Sequence, residues 1–333
     1  MGKGTLSLEL AVPRILRLLL VAGLLLISPL AARAQFGAKD ESGGPRLGKT
    51  QTHQWKTGIV VSAIGGGGVA NVYGTIPVPT DWPEQQVKVV KEDISPTARG
   101  VTYRVVDNSI RQMIFEIPAI QPGTSGQALI TFEVSKAAIL PPADPAAYVI
   151  PKSAPRDIKK YLGASPFIEV TNTRIKALAK ELTAGKDSAW LQLEAIYDGL
   201  RDKVKVEPVK QAGAAAALKE GKCTKEDLTA LFVACCRAHK VPARMVWVVD
   251  GCYAEFYLED SKDKGYWFPA NLAAKEKEFG QVTDTKPIMQ KGDNIKVPEN
   301  KEAYRFVPEF IKASGVAGGK PRPEFVRQLE IAN

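Results

Sequence analysis

The hydrophobic period changes once along this chain, and that change constrains its fold more than any other feature. Between Trp55 and Ser135 the apolar residues fall in short runs, GIVVSAI, ANVYGTIPV, QQVKVVKEDI, GVTYRVV, RQMIFEI and QALITFEV, broken by Gly, Pro, Asn and Asp. VTYRVV and MIFEI alternate apolar and polar residues, the period of a half-buried antiparallel strand. Several such strands at short spacing predict an immunoglobulin-like β-sandwich. The Gly65–Gly68 run reads as a hairpin turn, because neither a Gly-Lys-Ser/Thr triplet nor a helix follows it, as a phosphate loop requires. Past the Pro-rich connector LPPADPAAYVIPKSAP the period becomes helical. Ile175, Leu178, Ala179 and Leu182 share one helical face, and Trp190, Leu193, Ile196, Tyr197 and Leu200 share another, with Asp187 as the expected N-cap.

The block AAAALKEGKCTKEDLTALFVACCRAHKVPARMVWVVDGCYAEFYLED then reads as helix, cap, helix and two strands. Thr224 with Asp227 three positions on makes a capping box, so a helix is expected to start at Lys225. The predicted organisation is an export signal over 1–34, a flexible polar lead-in over 35–50 and the β-sandwich over 51–150. A second, α+β domain follows over 151–290, and an extended tail over 291–333 wraps the core. The signal assignment rests on Lys3, Arg14 and Arg17 ahead of the apolar run Leu18–Leu30, with Ala32-Arg33-Ala34 as a small-x-small cleavage site. The expected location is therefore periplasmic or secreted, with no membrane span after cleavage. The net charge of +9 includes Lys3, Arg14, Arg17 and Arg33 against Glu9 in that signal. What remains is a solubility-level charge, not a nucleic-acid footprint, so no nucleic-acid partner is expected.

The central block resembles the transglutaminase-like superfamily, which shares the papain-type plan of cysteine catalysis. The resemblance is carried by DLTALFVACCRAHKVPAR (227–244), by Gly251-Cys-Tyr-Ala-Glu-Phe-Tyr257 in place of His-Ala-Trp-x-Glu-x-Tyr, and by Trp267-Phe-Pro-Ala-Asn271 in place of Trp-x-x-x-Asp-Pro. It implies a papain-like α+β core after the β-sandwich, in an exported bacterial branch of the superfamily. It also implies a nucleophilic cysteine at a helix N-terminus, where the dipole favours thiolate, with a histidine base and an orienting acid on adjoining strands. Without gaps those three positions fall on Lys225, Gly251 and Asn271, so the triad reads as degenerate. The expected function is binding or scaffolding of protein segments or cell-envelope polymers, and Lys225 is expected to reach Asn271 across one cleft.

The alternative is an active cysteine peptidase or amide-cleaving acyltransferase with Cys223 as nucleophile. Such a thiol needs a base, and the chain has two histidines. His239 lies near the far end of the helix that Cys223 precedes, about 24 Å away at the helical rise. His53 is placed ahead of the first strand of the sandwich. Tyr253, Glu255, Tyr257 and Trp267 are the candidate groove residues, with core and cross-strand packing as their other reading. Strand alternation turns Gly251 toward the cleft and Cys252 away, so both thiols are expected free. Two scattered histidines and no paired thiols predict no metal, and no cofactor is expected.

Overall fold

Strand follows strand from Arg46 onward. The computed structural model describes Met1 and residues 43–331, so apart from Met1 the expected export signal lies outside the described residues. The first six strands are β1 (Arg46–Ile64), β2 (Gly68–Val78), β3 (Gln85–Ile94), β4 (Val101–Val106), β5 (Ile110–Ile120) and β6 (Ser125–Leu140). The turn between β1 and β2 uses Gly65 and Gly66, both at φ +84°, where a side chain would be strained. β1 begins inside the stretch expected to be a flexible lead-in. Its polar first half pairs with β6 from Arg46 onward, mostly exposed, and so lacks the apolar period that marks its second half. His53 consequently sits within β1, not ahead of it.

The helical part contains α1 (Thr173–Thr183), α2 (Ala189–Lys203), β7 (Lys205–Val206), α3 (Ala214–Glu220), β8 (Lys222–Cys223) and α4 (Lys225–Ala238). The N-cap of α2 is Ser188, whose hydroxyl accepts from the Leu191 amide, one residue past the expected Asp187. Every residue of α4 from Asp227 to Arg237 is buried, as suits a helix apolar on all sides. It packs on one face of β9 (Ala243–Val248), β10 (Gly251–Glu259) and β11 (Gly265–Asn271). Phe232 of α4, Trp190 and Tyr197 of α2, and Phe256 and Phe268 of the strands share that core. β12 (Glu278–Phe279), β13 (Ile288–Lys291), β14 (Phe310–Val316) and β15 (Lys320–Ile331) complete the chain.

The strands form two large sheets. One has the order β15-β1-β6-β3, and the other runs β12-β11-β10-β9-β13-β5-β2-β14 with β4 also on β5. Trp55 and Ile59 of β1, Ile76 of β2, Phe115 of β5 and Phe132 of β6 fill a core between the sheets. The segment expected to be an extended tail thus supplies two strands to the first half: β14 pairs with β2, and β15 pairs with β1 from His53 to Ile64. β13 joins the halves, bonded to β9 on one side and meeting β5 at Gln290 and Ile110 on the other. The fold is therefore α+β, with one sheet running through both halves.

Candidate functional site

The first turn of α4 is built around Asp227. Thr224 caps the helix as its spacing predicts, its hydroxyl accepting from the Asp227 amide at 3.1 Å. The carboxylate completes no capping box; it accepts from the amides of Ala212 at 2.9 Å and Gly213 at 3.0 Å. It thereby ties the preceding linker to the helix. Lys225 is exposed on the same turn, and its carbonyl accepts from the Thr229 hydroxyl at 2.9 Å.

Cys223 is buried on β8, and burial, with Asp227 and Glu226 beside it, pushes its thiol up to about 11. That direction opposes a helix-activated thiolate. Nor does an imidazole stand nearby. His239 is the C-cap of α4, its Nε2 2.8 Å from Gln192 Oε1, and His53 Nε2 lies 3.3 Å from the Thr285 hydroxyl. Burial lowers the pKa of both histidines. All four cysteines are free and buried.

Gly251 opens β10 at the end nearest this turn. A Cβ there would meet only Val248, at 3.7 Å, so the position has room for a side chain. Its neighbour Cys252 turns toward α4, not away: Sγ lies 3.6 Å from Thr229 Oγ1, one helical turn from Lys225. Strand alternation is kept, but the face toward α4 is the one with Cys252, Ala254, Phe256 and Leu258. Asn271 ends β11; the register that pairs Ala254 with Ala270 sets it beside Tyr253, at the same end of the sheet. Its amide donates to Glu278 at 2.8 Å rather than receiving Lys225, and its carbonyl accepts from Tyr197. The three positions gather at one end of the helix–sheet pair, yet Asn271 is engaged elsewhere.

The candidate groove residues are placed differently. Tyr253, Glu255 and Tyr257 occupy the other face of β10 and are buried, so they line no groove open to solvent. Glu255 joins Arg244 at 2.6 Å and Lys291 at 2.7 Å, and Lys291 joins Glu84 at 2.7 Å. Those cations hold the Glu255 carboxyl below its usual range although burial opposes them. Tyr257 and Trp267 pack edge to face at 5.3 Å, with the Arg244 guanidinium 4.0 Å from the Trp267 ring. The motif's other arginine, Arg237, is fully buried and donates from Nη2 to both carboxylate oxygens of Asp293 at 2.8 Å. Arg237, Arg244 and Glu255 are thus residues of the motif that hold the architecture together.

Sequence reasoning missed the residues that fill the space beside Asp227. Arg305, from the connection between β13 and β14, lies between the rings of Phe167 and Trp247. A lone arginine in a polar loop has no period or spacing to announce it.

The central helix on three strands, with these buried motif pairs, makes an α+β core. Residues 176–272 match the family model of the Transglutaminase-like superfamily. The chain is similar to the solved structure "a Putative Cysteine Protease from Cytophaga hutchinsonii", at 12% identity and a TM-score of 0.56, covering 86% of this chain and 100% of that one. At that identity the likeness is one of fold. A structure named "a putative protease from Parabacteroides distasonis" aligns at 12% identity with a TM-score of 0.28, over 70% of this chain and 48% of that one. Among curated proteins no match is found.

Proposed function

We propose that this chain is an exported, catalytically inert transglutaminase-like protein that engages polypeptide segments or cell-envelope polymers at the α4 end of its core. The observation that carries the reading is the state of Cys223. It is buried, its thiol is pushed up to about 11, and both histidines are committed to other partners. A general base must come within hydrogen-bond reach of the proton it takes, and neither histidine is placed to do so. Lys225, Gly251 and Asn271 stand where the resemblance places nucleophile, base and acid, and none of the three can fill its role. The name borne by the Cytophaga hutchinsonii structure favours polypeptide over polymer as the ligand class. Export rests on the pattern of residues 1–34. The test is iodoacetamide labelling at about pH 6, where an ordinary thiol near ~8.5 is almost wholly protonated. Cys223 is expected to label more slowly than free cysteine. Labelling far faster than free cysteine would establish an activated nucleophile and an enzyme.

A further inference from the structure

Arg305 occupies a slot that suits a guanidinium, and occupies it poorly. Its guanidinium carbon lies 4.6 Å from the centre of the Phe167 ring and 5.4 Å from that of Trp247. Its Nη1 faces the buried carboxylate of Asp227. Two aromatic walls and a carboxylate are the surroundings a planar, weakly hydrated cation prefers. Yet the Nη1–Oδ1 distance is 3.6 Å, beyond hydrogen-bond length, and Nη1 is buried with no hydrogen-bond partner. A charged donor left in that condition is costly. Burial also disfavours the Arg305 charge by more than Asp227 restores.

The slot is held open against backbone preference. Phe167 has φ +67°, in the turn closed by the Ile168 amide on the Ser165 carbonyl at 2.9 Å. With Pro166 ahead of it, Phe167 stands where such a turn ordinarily takes glycine. A bulky residue with positive φ is an outlier, and outliers of this kind gather at functional sites. Phe167 is 42% exposed and Phe306 36%, the Phe306 ring lying tilted 5.3 Å from that of Trp247. Exposed aromatic rings therefore adjoin a buried acidic floor.

We propose that this slot is a binding site for the arginine side chain of another polypeptide, with Arg305 as its intramolecular occupant and competitor. The proposal rests on the reading that this end of the core engages polypeptide, and names the side chain it takes. An incoming arginine with freedom to approach can bring its fork within hydrogen-bond length of Asp227, which Arg305, tethered by its own loop, does not. Because the slot is filled from within, the apparent affinity is lowered by the fraction of molecules in which Arg305 has withdrawn.

The experiment compares the wild-type chain with Arg305→Ala, following thermal stability with methylguanidinium or methylammonium chloride at matched millimolar concentrations. Arg305→Ala is expected to regain stability with methylguanidinium and not with methylammonium, while the wild type responds to neither. Calorimetric titration with acetyl-Gly-Arg-Gly-amide should show binding to Arg305→Ala at least about tenfold tighter than to wild type, as removal of an internal competitor requires. The lysine peptide should not bind, and adding Phe167→Ala should weaken the arginine peptide severalfold. Should Arg305→Ala fail to fold, Arg305→Gln takes its place with the same expectations, since it removes the internal cation and keeps much of the side chain's bulk. Equal response to both cations, or methylguanidinium rescue without peptide binding, overturns the proposal. Neither of those outcomes touches the Cys223 labelling that tests catalytic inertness.

Discussion

Lys136, on β6, is fully buried, and its ammonium donates to the carbonyl oxygen of Asp284 at 2.6 Å. Burial lowers its pKa to about 8, although Asp284 and Glu84 oppose the shift. The folded state thus favours the neutral amine more than the unfolded chain does, whose lysines titrate near ~10.4. The cost of burying the charge is present in full below pH 8 and is relieved as pH rises from there toward 10. We expect the urea midpoint of the wild type to gain on that of Lys136→Met between pH 7.5 and pH 9.5. Equal pH dependence in the two proteins would show that this ammonium is better compensated than its single hydrogen bond implies. Near it lie two buried polar atoms without hydrogen-bond partners, His53 Nδ1 and the Tyr253 hydroxyl.

At the scale of elements, β11 and the turn after it decide whether Lys225, Gly251 and Asn271 could be replaced by cysteine, histidine and aspartate. Gly251 has room for an imidazole's first carbon, and Lys225 is exposed, so neither position resists substitution. Asn271 does, because its amide donates to Glu278. Asn271→Asp would set two carboxylates against each other, and the pair would hold a proton to higher pH than a free carboxyl does. A raised folded pKa means stability that is present at low pH and lost as pH rises. Asn271→Asp is therefore expected to cost about 1–3 kcal/mol at pH 7.5, the scale of a lost charged hydrogen bond, and much less at pH 4.5. Denaturant unfolding at both values checks this, and adding Glu278→Gln should restore most of the loss. Reconstruction of the triad accordingly needs this fourth change alongside Lys225→Cys and Gly251→His. The start of α4 was legible because a cap and a solid apolar run announce it, and β9 and β10 because valines and aromatics do. β15 was not legible: Pro321 and Pro323 argue against a strand, and they are tolerated because β15 is the edge of its sheet. The slot around Arg305 had no local signal, since Phe167, Trp247 and Arg305 meet only through the fold.

On the scale of the whole molecule, Gln290 is the joint. Fully buried on β13, its amide donates to the carbonyls of Gly292 at 3.0 Å and Arg305 at 2.8 Å, and its carbonyl oxygen accepts from the Val307 amide at 3.0 Å. One side chain thus holds both feet of the connection that carries Arg305, at the strand where the two halves share a sheet. We expect calorimetry of the wild type to show one cooperative transition. Gln290→Ala should destabilise by several kcal/mol, at about 1–3 for each backbone group left unpaired, and should separate the melting of the two halves. A single undisturbed transition in Gln290→Ala would place the coupling elsewhere. The pairing of β1 with β15 carries a consequence for how such a chain is made. His53 finds its partner only in Ile331, and Trp55 only in Leu329 on that side, so the first strand waits on the last. Contacts so distant in sequence close slowly. During synthesis the core of Trp55, Ile59 and Phe132 stays open on one side until residue 331 has emerged. An unfinished chain would present the β1 edge to whatever strand came first, and the edge closes only when β15 arrives.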